Sequence, residues 1–226
     1  MTTFLLIRHG AHLLGGDRIA GRAPDVHLSP LGHEQARRLA ERIAKLPVRA
    51  VYSSPAERTR ETAHHLAERL ALPVQVLDGL YEIEFGAWTG RSLAELRQSP
   101  HFQDWNRFRS GTRIPDGELM LETQSRIVTE MLRLRERHGG GCVALVSHGD
   151  VIKAAVAYFL GVPLDLFTRI EIGLASVSVI AIGDQGPWVL GVNTNGEDVF
   201  VPESQESHDR VPPPRRGEGQ GEERAR

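Results

Sequence analysis

Cysteine and lysine are nearly absent from this chain. Cys142 is its single cysteine, so no internal disulfide forms and a secreted disulfide scaffold is excluded. Lysine occurs only as Lys45 and Lys153, which makes 25 of the 27 basic residues arginine. Any one arginine is therefore weak evidence of a phosphate contact. An excess of positive charge is missing too. The formal net charge is −2 and the pI about 6.6, which rules out a strongly basic surface built for nucleic acid or anionic membrane. Long apolar runs are lacking as well. The N-terminal run, residues 4–7, has no charged segment before it and Arg8 directly after it. It reads as neither signal peptide nor membrane span, and the expected location is cytoplasmic.

What is present is ordinary for a globular protein: 226 residues, 40% hydrophobic and 25% charged. From Pro202 to Arg226 the only large apolar residue is Val211. That stretch reads as a disordered tail behind one domain spanning 1–201. Within the domain, residues 3–8 and 142–146 read as short buried strands, ended by His-Gly and Ser-His-Gly. Residues 50–53 and 74–77 supply two more strands. Ser29-Pro30 and Ser54-Pro55 each carry a cap-plus-proline signal for a helix start, predicting one helix over 31–46 and another from Ser54-Pro55 to about residue 70. A long amphipathic helix is predicted over 118–138 and another over 150–160. Residues 176–182 and 188–192 read as a hairpin. Residues 79–117 are the least regular part, with helical patches near 92–98 and 102–108. Alternating strands and helices argue a three-layer α/β/α domain, its central sheet mostly parallel with an antiparallel edge strand.

Two histidines stand in matching surroundings. His9 and His148 each lie just past the carboxyl end of an apolar strand and just before a glycine. In an open α/β sheet that is the end at which ligands bind. Gly10 and Gly149 let backbone N–H groups approach a ligand closely, and the helix after Gly149 points its N-terminus at the same place, which favours an anion. Arg8 adjoins His9, and Arg58 falls one turn into the helix after the second strand. Guanidinium suits bidentate recognition of phosphate oxygens, and its charge keeps an imidazole neutral and nucleophilic. The other histidines (His12, His27, His33, His64, His65, His101, His138 and His208) read as solvated or structural. No metal is expected: there is no His-x-x-x-His on a helix and no second cysteine.

Leu6-Ile7-Arg8-His9-Gly10 resembles the signature of the histidine phosphatase superfamily, also called phosphoglycerate mutase-like. The likeness continues, in the family order, through Gly21-Arg22 and Leu28-Ser29-Pro30-Leu31-Gly32-His33-Glu34-Gln35-Ala36. It goes on through Val51-Tyr52-Ser53-Ser54-Pro55 with Arg58, then Leu80-Tyr81-Glu82 with Phe85-Gly86-Ala87-Trp88-Thr89-Gly90, and ends at Val146-Ser147-His148-Gly149. The resemblance implies a metal- and cofactor-independent phosphomonoesterase acting on a small phosphorylated metabolite. In it His9 is the nucleophile, Arg8, Arg58 and His148 hold the phosphate, and Glu82 is general acid and then base. Gly10, Arg22 and Gly149 complete the implied substrate contacts.

The sequence also departs from the family. Ala11-His12 stands where Glu or Gln, then Thr or Ser, is common, and residues 13–18 lack the usual asparagine. Around the acid the chain reads Glu82-Ile83-Glu84-Phe85-Gly86, where mutases of this type resemble Glu-Arg-His-Tyr-Gly. After the second histidine it reads Gly149-Asp150-Val151 where they show Gly-Asn-Ser. These differences favour the phosphatase branch over a phosphoglycerate mutase. A non-catalytic phosphate-ester binding module is the third reading, and the intact pair His9 and Glu82 argues against it. Glu82 and Glu84 would share a face if their stretch were extended, so the residues themselves do not separate them.

Overall fold

The computed structural model describes residues 1–195 and residue 201. The tail expected from Pro202 lies outside the described residues. Six strands form one sheet in the order β3-β2-β4-β1-β5-β6. They are β1 (Thr2–Arg8), β2 (Val48–Ser53), β3 (Val74–Val76), β4 (Cys142–Ser147), β5 (Val177–Gly183) and β6 (Gly186–Thr194). β1, β2, β3 and β4 pair in parallel. The antiparallel pairings are confined to the β5–β6 end of the sheet. β5, one place in from the edge, is the reversed strand, and the β5–β6 hairpin returns the chain along its outer side.

The helices are α1 (Pro30–Ile43), α2 (Glu57–Leu70), α3 (Leu93–Leu96), α4 (Pro100–Arg107), α5 (Met120–His138) and α6 (Gly149–Leu160). Period-two alternation along β1 sorts them into layers. Leu5 and Ile7 pack with Leu39, Ala40 and Ile43 of α1 and Ala63 and Leu66 of α2. Phe4 and Leu6 face the other way, onto Ile127 and Met131 of α5 and Val151 and Ile152 of α6. Both faces of the central strands are therefore covered, which is why β1 and β4 are apolar without a polar face. No helix among the described residues is long and apolar enough to cross a membrane.

The irregular stretch 79–117 has a core of its own. Phe85, Trp88, Phe102 and Trp105 pack with Ile114 and, from α6, Ala154 and Ala157. The rings of Trp88 stand edge-on to those of Phe102 and Trp105, at 5.2 and 5.4 Å between centroids.

Ser29 caps α1 as its sequence predicts, accepting from Gly32 N at 3.1 Å. Ser54-Pro55 behaves otherwise: α2 begins at Glu57 after Ala56, without a side-chain cap. The Ser54 hydroxyl is drawn to His148 instead.

Gly10 and Gly32 bring two backbones together. A Cβ on Gly32 would sit 1.9 Å from the Ala11 carbonyl oxygen, and one on Gly10 would sit 2.6 Å from the Gly32 oxygen. The first turn of α1 is thereby pressed against the loop after His9. Gly32→Ala is expected to cost roughly 1–3 kcal/mol by overpacking, seen as a lower urea midpoint at unchanged slope. A Cβ on Gly16 meets nothing within 4 Å, and Gly16→Ala is expected to change stability by less than about 0.5 kcal/mol.

Candidate active site

β1 and β4 deliver the two histidines side by side. Their register sets Arg8 opposite Ser147, and the His9 N–H donates to the Ser147 carbonyl at 3.1 Å. The ring centroids of His9 and His148 lie 5.3 Å apart, and both residues are buried.

His9 Nδ1 is 2.7 Å from the Gly10 carbonyl oxygen. A carbonyl only accepts, so Nδ1 carries the proton and Nε2 of the neutral ring keeps its lone pair. Burial and the Arg58 charge, with Arg8 and His12 behind them, hold the His9 pKa well below the ordinary histidine value, against the upward pull of the Gly10 bond. His148 is fixed in the opposite tautomer. Its Nδ1 accepts from Arg58 Nη2 at 3.2 Å, so its Nε2 donates to Ser54 Oγ at 2.7 Å. Burial, then Arg58 and His9, depress its pKa as well.

Arg58 rises from the first turn of α2 and is 1% exposed. Its Nη2 also donates to the Gly21 carbonyl at 2.8 Å. Its Nε and Nη1 are buried with no hydrogen-bond partner among the described residues, and Arg8 Nε is in the same condition. Arg8 is anchored through Nη1 to the Ile172 carbonyl at 2.7 Å. Its guanidinium lies against Gly149, where a Cβ would come within 3.2 Å of Cζ. A buried donor left unpaired costs about 1–3 kcal/mol. Three such N–H groups near a neutral imidazole suit an oxyanion with several acceptor oxygens.

The structure separates Glu82 from Glu84, which the sequence leaves together, and sets both apart from Asp150 beyond the second histidine. The stretch around Glu82 belongs to no strand or helix, and it is their partners that part Glu82 from Glu84. Glu82 Oε2 lies 3.6 Å from His148 Nδ1 and its side chain is 15% exposed. Its Oε1 accepts from the Ile83 N–H at 2.9 Å. Burial raises its pKa, Arg58 opposes this, and the Asp150 charge adds to the rise. Glu84 is 39% exposed and turns to Arg22 at 3.4 Å. Asp150 is held by Arg109 at 3.2 Å and Lys153 at 3.7 Å. A buried carboxyl that favours its proton, beside a neutral imidazole with a bare nitrogen, can give a proton while the imidazole attacks.

The remaining sequence candidates sit as follows. The Gly10 N–H donates to Thr62 Oγ1 at 3.1 Å, so its glycine identity answers to Gly32 rather than to a ligand. Arg22 donates through Nε to the Glu82 carbonyl at 2.8 Å and reaches Glu118 at 3.1 Å. It braces the loop that carries Glu82. Gly149 gives Arg8 room.

Sequence reading missed three residues. Ser54 looked like a helix cap. Thr62 falls within the predicted helix after Ser54-Pro55, with no site role assigned to it there. His12 looked like a solvated loop histidine, yet its ring lies 5.5 Å from that of His9. Burial, Arg58 and Arg8 bring its pKa down to about 4. The signal for His12 was its place, two residues past Gly10. His27, His33 and His65 gather elsewhere, with Glu61 between α1 and α2.

With this geometry in view, the family model described as histidine phosphatase superfamily (branch 1) matches residues 4–195. The chain is 30% identical over 171 residues to phosphoserine phosphatase 1 of Hydrogenobacter thermophilus, covering 75% of this chain and 81% of that one. It is 30% identical over 182 residues to a probable phosphoglycerate mutase, GpmB, of Escherichia fergusonii, covering 79% and 84%. Among solved structures, Bacillus stearothermophilus YhfR superposes with a TM-score of 0.82 at 27% identity, over 87% of this chain and 99% of that one.

Proposed function

Because the chain belongs to the histidine phosphatase superfamily (branch 1), we propose that it is a phosphomonoester hydrolase working through a phosphohistidine on His9. Nε2 of His9 attacks phosphorus, and the bond from phosphorus to the ester oxygen breaks. Glu82 gives its proton to the departing alkoxide. Water then attacks the phosphohistidine, Glu82 takes a proton from it, and His9 and inorganic phosphate are released. Arg8 and Arg58 hold the phosphoryl oxygens and spread the transition-state charge, and His148 joins them when Arg58 turns from its Nδ1 to the phosphate and that nitrogen gains a proton. Cationic side chains do here what a metal does elsewhere, so no metal or cofactor is needed. The observation that carries this reading is the His9 tautomer: the Gly10 carbonyl takes Nδ1–H at 2.7 Å and leaves Nε2 free, near guanidinium N–H groups without partners among the described residues.

The substrate is a small phosphorylated metabolite, with O-phosphoserine a first choice because a relative is named a phosphoserine phosphatase. The mutase reading has support from another relative's name. The sequence around Glu82 and after His148 weighs against it. The catalytic unit is residues 1–201, and the work is cytosolic.

The test is phosphate release from p-nitrophenyl phosphate, O-phosphoserine and 3-phosphoglycerate in EDTA, with phosphoglycerate isomerisation followed in parallel. Steady release unaffected by chelation is expected. Isomerisation outpacing release would make the protein a mutase. Binding of phosphate esters without turnover would make it a binding module. Activity abolished by EDTA and restored by zinc or magnesium would overturn the metal-free mechanism.

A further inference from the structure

Glu118 lies 36 residues beyond Glu82 in sequence, yet most of what fixes the acid's backbone passes through it. The Glu82 carbonyl oxygen accepts from two guanidinium groups, Arg22 Nε at 2.8 Å and Arg126 Nη2 at 3.1 Å. Glu118 holds both guanidinium groups. Its Oε2 meets Arg22 Nη2 at 3.1 Å and Arg126 Nη2 at 3.2 Å, and its Oε1 accepts from Arg126 Nε at 3.0 Å. The same carboxylate accepts from the Glu84 N–H at 2.9 Å. The Glu118 N–H donates to the Glu84 carbonyl, also at 2.9 Å. Thr123 Oγ1, in the first turn of α5, adds a bond to Oε2 at 3.2 Å.

The chain is thus pinned on both sides of the Glu82 side chain, at its own carbonyl and at residue 84. Between the pins, Ile83 is fully buried. The stretch has no strand or helix to hold it, so side chains must supply the rigidity that a backbone ladder gives elsewhere. The Glu118 and Arg126 side chains are 17% and 19% exposed. Such partly buried ion pairs are a poor source of stability, because desolvation offsets most of their attraction. Their geometric precision is what an apolar cluster of the same size would not provide.

The geometry points to Glu118 as a positioning residue for the general acid, setting the distance between the Glu82 carboxyl and the ester oxygen. The inference rests on the proposed reading of Glu82 as that acid. Displacements of about 1 Å cost up to roughly a hundredfold in rate when they move a reacting group. The cost should fall on the step that needs the proton and spare the rest.

The test is rapid-quench measurement of the phosphorylation rate on O-phosphoserine, whose alkoxide leaves poorly, and on p-nitrophenyl phosphate, whose phenolate leaves readily. Glu118→Gln is expected to slow the first by about tenfold or more and the second by no more than about twofold. Placed on Glu82→Gln, it should add almost nothing to the loss on O-phosphoserine, because both changes remove the same contribution. Equal slowing of both esters, no slowing of either, or full additivity in the double variant would overturn the inference. Glu82→Gln alone is the control for the reading beneath it. If Glu82→Gln is selective for the alkyl ester and Glu118→Gln is not, the positioning role fails and the acid stands. If Glu82→Gln is itself unselective, the acid assignment fails. Should Glu118→Gln not fold, Arg22→Gln decides. It removes one of the two donors to the Glu82 carbonyl from a side chain 26% exposed, and the same selectivity in smaller measure is expected; its absence would overturn the role.

Discussion

His9→Ala is expected to reduce phosphate release by at least about a thousandfold, on the scale known for loss of a covalent nucleophile. Substrate labelled in the phosphoryl group should leave acid-labile, base-stable label on the wild type and none on the variant. Label persisting in His9→Ala would move the nucleophile elsewhere, first to His148. The fold should survive, because His9 sits at a strand end and contributes little of the sheet's apolar contact. Its acid sensitivity should ease. In the folded chain the His9 pKa is held well below 6.5, while an unfolded histidine titrates near 6.5. The unfolded state therefore takes up the proton first as pH falls. Stability is full above that value and declines as pH drops toward the folded pKa. Removing His9 removes its share of that decline, leaving the shares of the other histidines with lowered pKa, His148 and His12 among them. Thermal midpoints measured from pH 8 to pH 5 should show a shallower fall for the variant.

Glu82→Gln is expected to slow phosphorylation by an alkyl phosphate by a hundredfold or more, on the order seen for loss of a general acid. The loss on p-nitrophenyl phosphate should be much smaller. Normal activity in Glu82→Gln with an inactive Glu84→Gln or Asp150→Asn would take the role from Glu82. The pH dependence has a definite sign. Burial raises the Glu82 pKa, opposed by Arg58 and aided by Asp150, so the protonated form persists above the ordinary carboxyl range. The acid-dependent rate on an alkyl ester should be full below that raised pKa and fall as pH rises through it. Asp150→Asn removes one upward contribution and should shift this fall to lower pH. An unmoved limb would show that the Asp150 charge does not reach the acid.

The parts of this protein that could be read from sequence are those where one residue answers to one requirement. β1 and β4 are apolar on both faces because helices cover both, and a run such as Phe4-Leu5-Leu6-Ile7 has no other comfortable place. His9 and His148 were legible because they follow such strands directly. Residues answering to something distant were not. Ser54 carries the composition of a helix cap, and only the approach of β4 shows that its hydroxyl serves His148 at 2.7 Å. Glu118 looked like the first residue of a long helix. α5 instead begins at Met120, because the Glu118 backbone and side chain are both engaged with residue 84. Glu82 and Glu84 were inseparable because what parts them is distant in sequence: His148 lies beside the one, Arg22 and Glu118 beside the other. The aromatic core of residues 79–117 escaped notice because short helices and loops carry no period long enough to read.

The strand order has a consequence for how the chain comes off the ribosome. β1 is made first, yet its neighbours in the sheet are β4 and β5. Thr3 pairs with Cys142 and Ile7 with Val177. At about 5–20 residues per second, β1 waits on the order of ten seconds for its first partner. During that interval four consecutive residues that are at most 1% exposed in the finished protein have neither strand nor both helical layers around them. β4 then enters between β2 and β1, two strands already made, and fills the middle of the sheet rather than extending an edge; β5 and β6 follow it at one end. A nascent chain stopped short of residue 142 therefore displays an unpaired apolar strand, the kind of surface that chaperones hold and aggregates recruit. The cluster of His9, His148, Arg8 and Arg58 does not exist before β4 arrives, because Arg8 and His9 wait on one side of the gap and Arg58 on the other. On the proposed reading of that cluster, phosphate is expected to stabilise the closed sheet and not the half-made chain.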